Sequence, residues 1–90
     1  MSVKASSAEI TLDFPIKIEG VEVGSLTLRR PKQKDLKAAS LGTSTDAQIE
    51  EKLFSNLLQI TPSDLGELDM SDYRKLQEAY MGFQSPLSAS

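Results

Sequence analysis

The sequence predicts a small α+β domain: a two-stranded antiparallel β-hairpin with a bulge, packed on two to four short C-terminal α-helices. Three observations lead there. Residues 9–19 alternate apolar and polar without a break, the period of a strand with one face buried. A second alternating run follows a two-residue break at Glu19-Gly20, the spacing of a hairpin. Beyond residue 45 the apolar residues recur at intervals of three and four, the period of helices with one face buried. A lone hairpin is not stable in water, so the helices must cover its apolar face.

In the first strand Ile10, Leu12, Phe14, Ile16 and Ile18 share one face, opposite Thr11, Asp13, Pro15, Lys17 and Glu19. Pro15 has no N–H to give to a ladder, which puts this strand at an edge or gives it a bulge. In the second strand Val21 and Val23 stand at odd positions and Leu26 and Leu28 at even ones. The apolar face therefore flips, and Gly24-Ser25 is the expected bulge. A two-residue turn pairs Ile18 with Val21 and Ile16 with Val23. One extra residue in the second strand then pairs Phe14 with Leu26 and Leu12 with Leu28.

Arg29-Arg30-Pro31 ends the hairpin, and KQKDLKAASLG reads as a helix of about two turns stopped at Gly42. After a GTST loop, Thr45 or Ser44 caps a helix from Asp46 onward, its broad stripe made of Ile49, Leu53, Leu57 and Ile60 with Phe54 and Leu58 on one flank. Thr61-Pro62-Ser63-Asp64 combines a cap, a proline at the first helical position and an acid at the third, so another helical turn starts there. Asp69 caps a last helix, with Met70, Tyr73, Leu76, Tyr80 and Phe83 on its inner face and Asp72, Arg74, Lys75 and Glu78 on the other. Gly82 is its expected stop. Residues 9–83 thus form one domain between two disordered ends, 1–8 and 84–90.

Composition narrows the chemistry. The 90 residues include no cysteine, histidine or tryptophan and carry a net charge of -3. No thiol nucleophile, no triad built on histidine and no zinc finger can form, so an enzyme is not expected and neither is a cofactor or a metal. No apolar run approaches the length of a membrane span, and MSVKASSA lacks the apolar stretch of a secretory signal. The expected compartment is the cytoplasm.

Four features remain as candidates for function. Arg29, Arg30, Lys32, Lys34 and Lys37 hold five of the ten positive charges, but no aromatic residue is interleaved with them and Asp35 sits among them. They read as a solvated connection rather than a nucleic-acid footprint. The acids Asp64, Glu67, Asp69 and Asp72 fall where helix starts favour negative charge, and no calcium-loop spacing is present. Gly20, Gly24 and Gly42 fit a turn, a bulge and a cap, and no phosphate-loop motif surrounds them. Phe54, Leu58, Tyr80 and Phe83 belong to stripes that are wide for so small a domain. They are predicted to line a groove for an amphipathic segment, with Arg29 and Arg30 at its rim.

The order of segments carries a further sign. The hairpin stretch EITLDFPIKIEGVEVGSLTLRRPKQKDL, the acidic helix after it and the block LLQITPSDLGELDMSDYRKLQEAYMGF together resemble the small tail assembly chaperones of Mu-like and related contractile-tailed phages and prophages. The resemblance covers residues 9–83. It implies a non-enzymatic protein of the host cytoplasm, absent from the mature virion, that binds the tape measure protein and keeps it soluble. It also implies help in recruiting tail-tube subunits and, in many members, a longer product made by frameshifting. No residue roles carry over from the family. Self-association through the groove is left open. The alternatives are a structural or adaptor module of a tail or another complex, and a small nucleic-acid-binding regulator.

Overall fold

The computed structural model describes residues 6–42 and 45–84, and its elements follow the predicted order. Strands β1 (Ser7–Ile18) and β2 (Val21–Arg29) form the antiparallel hairpin. Helices α1 (Gln33–Ser40), α2 (Asp46–Leu58), α3 (Pro62–Leu65) and α4 (Met70–Gln84) follow. The fold is α+β as expected. β1 begins two residues before the expected Glu9, and α4 runs one residue past Phe83. The rest of the two expected terminal tails, residues 1–5 and 85–90, lies outside the described residues, as does part of the GTST loop.

The turn is of the primed type that suits a twisted hairpin, with φ of 52° at Glu19 and 80° at Gly20. Ile18 faces Val21 and Ile16 faces Val23, as the spacing predicts. Beyond them the register differs from the expectation. Leu26 faces Ile10 and Leu28 faces Ala8, so the predicted pairs Phe14 with Leu26 and Leu12 with Leu28 do not form. The bulge is in β1, not at Gly24-Ser25. Between the pairs Thr11–Ser25 and Ile16–Val23, β1 spends Leu12 to Pro15 where β2 spends only Gly24. Pro15 lies inside that excursion, where its missing N–H breaks no ladder. Leu12 still turns into the core at 5% exposure, but Phe14 is pushed outward to 58%.

The hairpin's apolar face and the helices close on one another. Ile10, Leu12, Ile16, Leu26 and Leu28 meet Leu53, Phe54, Leu57 and Leu58 of α2, Leu65 of α3, Leu68 of the connection that follows it and Leu76 of α4, with Ala39 of α1 at one side. Each helix start is satisfied locally. Thr45 Oγ1 accepts from the Gln48 amide at 3.1 Å, so Thr45 is the cap of α2. Thr61 and Asp64 cap α3 reciprocally. Asp69 accepts from the Ser71 amide at 3.0 Å at the head of α4.

Three expectations about α4 and its neighbours are corrected. Gly82 does not stop α4, which continues to Gln84. Met70 is exposed rather than inward, because it opens the first turn, where the helix has not yet come under the hairpin. Asp72, expected on the outer face, is fully buried. Its carboxylate accepts the amides of Asp13 and Phe14 at 2.9 and 3.0 Å, and those are the donors that the bulge removed from the ladder.

Candidate functional site

The two long helices place their aromatic residues along one seam. On α4, Tyr73 and Tyr80 are seven residues apart, hence on the same side about 10 Å from each other along the axis. Both lean on Phe54 of α2, with ring centroids at 5.7 Å for Tyr73 and 5.5 Å for Tyr80, the latter edge-on. Phe54 is the pivot between them and is wholly enclosed.

On either side of this pivot the surface is hollow. One hollow lies between α1, α2 and α4, with Leu36, Ile49, Leu53 and Tyr80 as its apolar wall and Asp46 at its edge. The other lies between α2, α3 and α4, with Ala47, Leu65, Leu68, Met70 and Tyr73 as its wall and Glu51 at its edge. Glu50 belongs to both. It is fixed there: the Tyr73 hydroxyl donates to its Oε2, and the Gln77 side-chain amide donates to the same oxygen at 3.1 Å. Burial, with the Glu50 carboxylate beside it, pushes the Tyr73 hydroxyl well above the usual tyrosine range. Neither hollow has a lysine or arginine in its wall. The seam is therefore an apolar surface in two parts with negative charge between and beside them.

The predicted groove residues divide between core and surface. Phe54 and Leu58, at 0% and 7% exposure, are core, and they give the seam its shape from beneath. Tyr80 is half-buried and lines the first hollow. Phe83 is half-buried at the end of α4, where the Arg30 guanidinium lies 5.3 Å from its ring centre and donates to its carbonyl at 3.2 Å. Arg29 points elsewhere. It forms a two-pronged pair with Asp35 at 3.0 and 3.1 Å, while Asp35 also accepts the Lys32 amide at 2.8 Å at the head of α1. That geometry holds the Asp35 carboxyl below the usual carboxylate range through the guanidinium hydrogen bond, and raises Arg29 in return. The two arginines of the basic stretch thus join β2 to α1 and to α4. Sequence reasoning missed Leu36, Asp46, Glu50, Glu51 and Tyr73. The signals for them were present, in the acidic first turns of α2 and in the seven-residue spacing of the two tyrosines.

A second cluster surrounds the bulge. Lys75 Nζ donates to the Thr11 carbonyl at 2.9 Å and pairs with Asp13 at 3.1 Å and Asp72 at 3.2 Å. Burial pushes the Asp72 carboxyl up, but the two amides and Lys75 outweigh it and its pKa lies below the usual range. Lys75 is raised, first by its hydrogen bond to Asp13. All of these groups are matched to one another, so the cluster is a brace between β1 and α4. Among the described residues no group of three carboxylates is arranged to hold a metal ion, and no helix is long and apolar enough to cross a membrane.

No curated protein and no solved structure matches the chain. A family model described as "Phage tail assembly chaperone proteins, E, or 41 or 14" matches residues 9–85, which takes in β1 from its third residue, β2 and every helix. A match of that extent shows that the chain belongs to the phage tail assembly chaperone family.

Proposed function

We propose that this chaperone binds the tape measure protein of its phage tail, keeps that long chain soluble and delivers it to tail-tube assembly. The observation that carries the reading is the seam between α2 and α4: an apolar surface in two parts, bordered by carboxylates, on a member of a tail assembly chaperone family. Such a surface can cover apolar stripes of a helical client, while the net charge of -3 helps keep the complex in solution. The chain acts by binding and not by catalysis. It works in the host cytoplasm and is left out of the finished virion. A frameshift-extended form of the same chain and the tail-tube subunits are further partners in this reading.

The nucleic-acid alternative loses support from the arginines. Arg29 and Arg30 hold the hairpin to α1 and α4, so two of the five clustered charges have a role inside the fold. Co-expression with the tape measure protein from the same phage tests the proposal. Soluble tape measure protein that co-purifies with the chaperone at a fixed ratio is the expected result. Tape measure protein that stays insoluble with both the short and any extended product overturns it. Mass spectrometry of purified particles checks the second part, where the chaperone is expected to be absent.

A further inference from the structure

We infer that the seam takes one amphipathic helix of the partner, carrying two apolar side chains seven residues apart and a lysine or arginine between them. The inference rests on the protein-binding reading above and specifies the chemistry of the segment that is bound. Tyr73 lines one hollow and Tyr80 the other, and the two lie about two helical turns apart on α4. A helix lying along α4 brings its own residues i and i+7 to the same spacing, one for each hollow. Between the hollows stands the Glu50 carboxylate, held in place by Tyr73 and Gln77. Residue i+4 of the docked helix lies on the same face as i and i+7, opposite Glu50.

Charge decides what that residue is. Asp46, Glu50 and Glu51 edge the hollows, and no cation stands in either wall. A carboxylate at i+4 would meet like charge with no counter-ion. A lysine or arginine there gains an opposite charge that has already been oriented. Apolar anchors supply affinity and the central cation supplies register, so the seam selects basic amphipathic helices over acidic ones.

The probe is a synthetic helical peptide of about 20 residues, long enough to be helical when bound, with leucine at two positions seven apart and lysine four residues after the first. A control peptide has glutamate in place of the lysine. Fluorescence anisotropy with the full-length chaperone is expected to give roughly tenfold tighter binding of the lysine peptide, with the preference shrinking as salt is added. Glu50→Gln combined with Glu51→Gln is expected to abolish most of that preference. Glutamine at position 50 still accepts from Tyr73, so an unchanged melting curve shows that the variant is folded. Equal binding of the two peptides, no binding of either, or a preference that survives the double substitution overturns the inference. The same variant in co-expression separates the two readings. If it rescues the tape measure protein as well as the wild type does, that client does not use the charge selection and the inference fails for it, while the chaperone reading stands. If the wild type binds the lysine peptide but rescues nothing, the partner is wrong and the seam's selectivity stands.

Discussion

Asp72 shows how much one side chain can decide. A carboxylate in a helix's first turn usually faces water and meets the helix dipole, and the sequence supports that reading. Here it is turned inward, because the β1 bulge leaves the Asp13 and Phe14 amides without ladder partners and a carboxylate can accept both. Nothing in the local pattern around residue 72 announces amides from residues 13 and 14. Asp72→Ala leaves two partly buried amides without their carboxylate partner and should lower the melting temperature by on the order of 10 °C, measured by circular dichroism. Asp69→Ala, which removes only an exposed cap, should cost less.

Titration follows from the same contacts. The carboxyls of Asp72 and Asp35 both lie below their ordinary range in the fold. Their stabilisation is complete above the unfolded-chain value of about 3.9 and is lost as the pH falls through the lower folded values. Stability should thus fall below about pH 4, and less steeply in Asp72→Ala. Tyr73 has the opposite sign. Its hydroxyl titrates higher in the fold than in the unfolded chain, so its contribution is complete below about pH 10 and declines above it. Tyr73→Phe should flatten the alkaline limb of a melting profile taken across pH.

At the level of elements, the helices were legible and the strand register was not. Caps at Thr45 and Thr61 and the period of the stripes placed the helix starts, since each depends on residues close in sequence. The hairpin turn was equally plain. Its register failed because alternation reports only which face a residue takes. One extra residue in β2 and three extra residues in β1 both bring Leu26 and Leu28 onto the face of Ile16. Alternation cannot separate them, but Pro15 could have done so, because the missing donor is in β1. Glu19 offers a direct test of the turn. It holds a left-handed conformation that suits asparagine better, so Glu19→Asn should raise stability by about 1 kcal/mol in a denaturant titration. Loss there would mean that the turn does not hold the primed geometry in solution.

Over the whole molecule, a two-stranded sheet with one apolar face is completed by helices that cover it, and the work of covering leaves one seam partly open. The sequence located the helices that form the seam but chose its residues by hydrophobicity. That criterion favours the most enclosed residues, and it selected Phe54 and Leu58, which are core, along with Tyr80. The side chains that give the seam its charge and its two-part form are acids at the start of α2 and a tyrosine one heptad away. Their meeting depends on how α2 and α4 cross, which no local pattern encodes. Arg30 and Phe83 close the far end, and Arg30→Ala should release the last turn of α4. Faster amide exchange over residues 80–84 is expected, with a stability loss of about 1 kcal/mol or less.

The most direct test is hydrogen–deuterium exchange of the chaperone alone and in complex with its tape measure protein. Binding along the seam predicts slowed exchange in the first turns of α2, around residues 46–53, and in α4 around residues 70–80, with the polar outer face of the hairpin unchanged. Slowed exchange confined to the hairpin, with α2 and α4 unaffected, would contradict the account and move the binding surface to the opposite side of the molecule.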